Sequence, residues 1–184
     1  MQPTSGQLTV PALQTLLEDG ALAGEWVLDS RMSSMRVKTG LMGRLLPVQG
    51  VFRDLHGHGT VTAGGDFSGT LTVAASSVDT KNARRDTHLR SAAFLDTDNN
   101  PEISFTTNGL RPSGEGLAVT GALTIRGHTR PLSFDAAASV QNAGEVWLDA
   151  EVHINRRDFG ITWSWAGMPS MNSTLTVHAV FTRQ

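Results

Sequence analysis

The chain has 184 residues, 39% hydrophobic and 17% charged, a composition that supports one packed core and excludes a disordered chain. With no cysteine, disulfides, thiolate metal sites and cysteine nucleophiles are ruled out. A net charge of -2 removes the basic footprint of a nucleic-acid or anionic-membrane binder.

Residues 1–25 hold no lysine or arginine and no apolar run long enough for a signal peptide or a spanning helix. Taken as complete, the chain is expected in the cytoplasm without stable membrane insertion. Within Thr9–Gly20, Leu13, Leu16 and Leu17 recur at helical spacing, Pro11 suits a first turn and Gly20 a stop. This predicts a short amphipathic helix in an N-terminal extension, residues 1–24, lying as a lid or edge cover on a main domain, residues 25–184. No basic residues flank it, which argues against a helix lying on a membrane surface.

The body alternates with period two. Apolar residues fall at Leu117, Val119, Gly121, Leu123 and Ile125, then at Leu132, Phe134, Ala136, Ala138 and Val140, at Val146, Leu148, Ala150, Val152 and Ile154, and at Leu175, Val177, Ala179 and Phe181. Shorter matches occur at Met35 and Val37, from Val48 to Leu55, near Val61, at Leu71, Val73 and Ala75, and at Ile103 and Phe105. Turn signals stand at Gly64-Gly65-Asp66, Asn108-Gly109, Gly127-His128 and Asn142-Ala143-Gly144. Eight or nine strands, each with one apolar face, predict an all-β antiparallel barrel, because closure buries that face and removes the edges. The interior of an eight-stranded barrel is either filled by side chains or holds one slender ligand.

Residues 76–101 break the alternation and are too long for a plain loop. A helical insertion is expected around residues 80–95, with Asn82 to Ser91 as its helix and Ala92, Ala93, Phe94 and Leu95 as an apolar plug over one barrel mouth.

Several ordered motifs carry a resemblance: Trp26-Val27-Leu28-Asp29, then Val78-Asp79-Thr80 followed by Arg85-Asp86-Thr87-His88-Leu89-Arg90-Ser91, then Phe94 and Pro101-Glu102-Ile103-Ser104-Phe105. Thr120 to Pro131 and Ile154-Asn155-Arg156-Arg157-Asp158-Phe159-Gly160-Ile161 complete the series. From Trp26 onward the chain resembles the YceI-like family of polyisoprenoid-binding, lipocalin-like proteins. The resemblance implies an eight-stranded barrel whose interior takes a polyprenyl or quinone tail, with no reaction and no cofactor. Two departures stand out. Members often carry an export signal, not seen in this sequence, and Met32-Ser33 stands where members have a His-Ser pair. Neither periplasmic location nor a role for that histidine carries over.

The candidate inward face of Val37, Leu71, Val73, Ile103, Phe105, Leu123, Phe134, Leu148, Val152, Leu175 and Val177 is continuous and uncharged. Phe94, Phe159 and Trp163 join it as candidate ligand contacts. The polar signature residues are expected outside the interior. Trp163, Trp165, Met168 and Met171 suit either an adaptable lipid entrance or a loop buried against the barrel or in a homodimer contact.

Rival chemistry is weaker. His56-Gly57-His58 has a metal-compatible spacing, but it needs a third ligand, such as Asp54, and its glycines suggest a turn. His153 and His178 fall on polar strand faces. Asp86, His88 and Ser91 lack a nucleophile elbow or oxyanion motif, and residues two apart on a helix diverge. Arg85 and Asp86 are expected to tie the helix to the barrel rim. The expected function is sequestration or transport of a long isoprenoid lipid, without catalytic or metal residues. The alternative is a solid-cored structural or interaction module.

Overall fold

The computed structural model describes residues 10–41, 47–113, 116–142, 144–162 and 169–184. In chain order, α1 (Val10–Glu18) is followed by β1 (Gly24–Leu28), β2 (Ser34–Leu41), β3 (Val48–Phe52), β4 (Leu55–Val61), β5 (Phe67–Ala74), β6 (Val78–Asp79) and α2 (Ala83–Arg90). Then come β7 (Glu102–Ser113), β8 (Gly116–Ile125), β9 (His128–Asn142), β10 (Glu145–Asn155) and β11 (Pro169–Arg183).

Every strand pairing is antiparallel, and the strands close into an eight-stranded barrel. Its ring runs β1, β4, β5, β7, β8, β9, β10, β11 and returns to β1 through Trp26↔Arg183, Val27↔Thr182 and Leu28↔Phe181. Three wall positions are broken strands. β11 pairs with β1 near its end and with β2 over Pro169 to His178, β2 pairs with β3, and β3 with β6. Thus β2, β3 and β6 continue the walls begun by β1, β4 and β5.

Val48 to Leu55, which alternates as one stretch, breaks at Arg53 and Asp54. Their backbone N–H groups donate to the Ser77 hydroxyl at 3.2 and 3.3 Å, and that hydroxyl donates to the Ala74 carbonyl at 2.6 Å. A side chain replaces the neighbouring strand as acceptor, and the wall bends there. Asn108-Gly109 is not a turn. β7 runs through it with a register shift between Thr107 and Gly109, a bulge that absorbs the extra residue. Gly127 does turn the chain: Arg126 and Gly127 have φ of 51° and 71° in a two-residue hairpin.

α1 covers one end of the barrel. Leu13 is buried among Leu22, Trp26, Val61, Leu117 and Val119. The Trp26 indole donates to the Leu22 carbonyl at 2.9 Å, and the Arg183 guanidinium lies 5.1 Å from the Trp26 ring centroid. At the other end, the Asn82 side chain caps α2 by accepting from the Arg85 N–H at 3.0 Å. Leu89, Phe94 and Leu95 turn toward the core, whereas Ala92 and Ala93 are exposed, so the plug is narrower than its four apolar letters. No helix among the described residues is long and apolar enough to cross a membrane.

Candidate functional site

Alternation sends every second side chain to the barrel axis, yet the interior is not filled. Leu71, Phe105, Leu132, Phe134, Leu148, Val177 and Phe181 point inward and are only partly buried, because they face a cavity. That cavity has a volume of about 120 Å³ and is walled almost wholly by hydrocarbon. A second cavity of about 90 Å³ lies under α2, between β2, β3, β10 and β11. Met35, Ile103 and Leu175 border both and form a waist between them.

Of the residues the sequence nominates, Leu71, Val73, Phe105, Leu123, Phe134, Leu148, Val152 and Val177 border the first cavity. Val37 and Phe94 border the second, and Ile103 and Leu175 border both. Phe159 is buried in the core but borders neither cavity. It sits in a single 3-10 turn, Arg156–Phe159, that closes β10 and directs its ring into solid packing. Trp163, Trp165 and Met168 lie outside the described residues.

The expectation of an uncharged interior fails at one residue. Arg156 is 4% exposed, borders the second cavity, and holds its guanidinium carbon 5.1 Å from the centroid of the Phe94 ring. Its Nη2 donates toward the Met171 sulfur at 3.9 Å. Burial lowers the affinity of this guanidinium for its proton. The neighbouring Arg157 is exposed. In a 3-10 turn residues i and i+3 eclipse, so Arg156 shares the inward side with Phe159. That spacing was the signal in the sequence. Asn155 caps the turn by accepting from the Arg157 N–H at 3.0 Å, Gly160 ends it at φ 70°, and Arg126 Nη1 donates to the Gly160 carbonyl at 2.9 Å.

These features sit on a recognisable sequence. The profile of the YceI-like domain matches residues 26–182. The chain belongs to the YceI-like family. A UPF0312 protein of Serratia proteamaculans is 39% identical over 98 residues, and protein YceI of Escherichia coli is 37% identical over 97. Each alignment covers half of this chain and half of the relative, so this YceI-like chain aligns with about half the length of those curated relatives. Among solved structures, BcnA of Burkholderia cenocepacia superposes with a TM-score of 0.74 at 19% identity, covering 83% of this chain and 98% of that one. A polyisoprenoid binding domain from Saccharophagus degradans gives 0.71 at 15% identity, covering 86% and 98%. Both share the fold.

In this YceI-like barrel His56 and His58 lie on strand β4, not in a turn, and both are exposed. The glycines between and after them serve close packing: a Cβ at Gly59 would come within 2.9 Å of the Phe67 ring. His56 Nε2 pairs with Asp54 Oδ1 at 2.9 Å, His178 Nδ1 with Asp149 Oδ1 at 2.7 Å, and His153 Nδ1 meets the Thr174 hydroxyl at 3.2 Å. Among the described residues no three His, Asp or Glu side chains gather as a metal site. Arg85 and Asp86 both bind Thr80, and the Ser91 hydroxyl donates to the His88 carbonyl at 2.7 Å as a helix cap. Ser33, of the Met32-Ser33 pair, lies between β1 and β2 and accepts from the Val180 N–H at 3.0 Å.

Proposed function

We propose that this protein binds and sequesters, or carries, a long-chain isoprenoid lipid such as a polyprenyl or quinone tail, and that it does so without catalysing a reaction. One observation carries the reading: large inward-facing apolar side chains surround a hollow in place of packing against one another. A void forfeits dispersion contacts on one side of each lining group, so an apolar ligand that restores them binds favourably. Membership of the YceI-like family and the shared fold with a polyisoprenoid binding domain support the isoprenoid class.

An apolar cavity of roughly 150 Å³ admits a benzene-sized molecule. The first cavity is smaller, about 120 Å³. A long tail therefore enters by turning the Leu and Phe side chains along the axis to other rotamers.

Organic extraction of protein freshly purified from its native host, followed by mass spectrometry, tests the proposal. A stoichiometric prenyl lipid is expected. Its repeated absence would favour a barrel that serves as a structural or interaction module.

A further inference from the structure

The barrel has a cover at each end, and the two covers are fastened differently. α2 is tied to β6 and the residue beyond it through polar groups: Asp86 accepts from the Thr80 N–H and hydroxyl, Arg85 donates to the Thr80 carbonyl, and Arg90 donates to the Val78 carbonyl at 2.9 Å. α1 reaches the barrel core with leucines, Leu13 buried and Leu16 and Leu17 half-buried. We propose that α1 is a hinged lid over the first cavity, and that a lipid tail enters and leaves the barrel beneath it. This rests on the reading of the barrel as a tail-binding protein.

Position and packing both favour this end. The apolar cluster that α1 joins also holds Phe67, Leu110, Val119 and Phe134, and all four border the first cavity. Lifting α1 therefore uncovers that cavity and leaves the α2 end undisturbed. Lifting α2 would break the hydrogen bonds of buried Thr80 and Asp86 together with the packing of Leu89. Lifting α1 costs chiefly the re-wetting of three leucines on a nine-residue helix, the scale of a local opening.

The hinge lies in the chain that follows. Gly20 has φ 68°, a conformation that stops the helix and that glycine adopts without strain. Directly after it the backbone is held: the Ala21 carbonyl accepts from Arg183 Nη2, and the Leu22 carbonyl accepts from the Trp26 indole at 2.9 Å. Leu22 and Trp26 are buried. Rotation at Asp19 and Gly20 thus swings α1 about a base that stays on the barrel. Closed, the helix fits tightly on the turn between β4 and β5, where a Cβ on Gly65 would stand 3.1 Å from the Leu17 carbonyl oxygen.

That close fit supplies the test. A Cβ on Gly65 would lie 3.4 Å from the Leu17 Cβ, near the separation of about 3.5–4.5 Å that a disulfide spans. The chain has no cysteine of its own, so the variant carrying Leu17→Cys and Gly65→Cys can lock α1 reversibly. Gly65 has φ 82°, which strains a cysteine, and the reduced form of the same variant is therefore the reference. Tritiated geranylgeraniol delivered from cyclodextrin is followed by rapid gel filtration, with uptake giving the on-rate and a chase of unlabelled alcohol the off-rate. The oxidised form is expected to exchange roughly tenfold or more slowly in both directions, with Kd within a few fold, and reduction should restore both rates. Leu13→Ala, in the otherwise unchanged chain, should speed both rates by roughly tenfold or more at similar Kd, because a lid that gates passage alters entry and exit alike. Leu13→Val replaces it if that variant does not fold, with a smaller gain in both rates. If the cysteines do not pair, the Leu13 variants decide alone. Oxidised and reduced forms that exchange alike, or Leu13 variants with unchanged rates, overturn the lid while the tail reading stands. A faster off-rate at an unchanged on-rate also overturns it, making α1 a wall of the site. Failure of geranylgeraniol to bind wild type overturns the tail reading and the lid with it.

Discussion

Asp86 accepts two hydrogen bonds from Thr80, one from its backbone N–H at 3.0 Å and one from its hydroxyl at 2.6 Å, and both residues are buried. Arg85 completes the knot by donating from Nε to the Thr80 hydroxyl and from Nη2 to the Thr80 carbonyl, at 2.7 and 2.8 Å. One residue beyond β6 thereby anchors α2, and α2 covers the second cavity. Asp86→Ala strands two buried donors and is expected to cost about 3 kcal/mol. Asp86→Asn, which keeps an acceptor, should cost less. Urea unfolding checks both through a lowered midpoint at unchanged slope. An unshifted midpoint for Asp86→Ala would contradict the anchoring role.

A hollow barrel and a solid one respond differently to truncation. Leu55 is 1% exposed, packs in the core and borders neither cavity, so Leu55→Ala is expected to cost about 4 kcal/mol. Leu148 already faces the first cavity, and the atoms removed by Leu148→Ala lack partners on one side. Its cost should be about 1–2 kcal/mol, below the usual range for a buried leucine. Equal losses in chemical denaturation would show that the interior is packed.

The barrel was legible because its signal is periodic: β8 to β11 alternate over long stretches, and one face must be buried. α2 was legible because residues 76–101 break the alternation and are too long for a plain loop, and its expected ends, Asn82 and Ser91, are the residues that cap it. What local pattern cannot carry is a choice made by distant partners. The break at Arg53 depends on Ser77, and the strand through His56-Gly57-His58 on the need of Phe67 for space above Gly59. Arg156 was missed because charge normally marks the outside of a strand. Once β10 gives way to a 3-10 turn, the period becomes three and the same residue faces in. Met35 was assigned to a strand, but its place in the waist follows from volumes that periodicity does not report.

The surface end of β6 offers a titration. The Asp79 carboxylate accepts from the Lys81 N–H at 2.8 Å and from Arg53 Nε at 2.8 Å. The Lys81 backbone first, then the Arg53 and Lys81 side chains, hold it well below the usual carboxylate range. A depressed folded-state pKa adds stability above the unfolded value of about 3.9, and that stability is lost as pH falls toward the folded value. The stability gap between wild type and Asp79→Asn should therefore be flat from neutral pH to about 5 and shrink only on further acidification. NMR of the Asp79 carboxyl carbon should show it ionised where a free aspartate is half protonated. A midpoint at the ordinary value would contradict the ion cluster.

The waist makes affinity depend on tail length in two stages. At roughly 0.3 kcal/mol per non-hydrogen atom for larger ligands, each five-carbon unit contributes about 1.5 kcal/mol, or about tenfold in Kd. Short prenyl alcohols that fill only one of the two cavities should gain at that rate. The gain per unit should drop at the length that meets Met35, Ile103 and Leu175, because entry there displaces side chains that border both cavities. It should resume once the chain occupies both cavities and level off when further units remain in water, where they bury no surface. Met35→Ala widens the waist and should smooth the step. A titration across prenyl alcohols of increasing length, in wild type and Met35→Ala, measures both curves. Affinity that ignores length in wild type would remove the interior as the binding surface, and a step that survives Met35→Ala would place the constriction elsewhere.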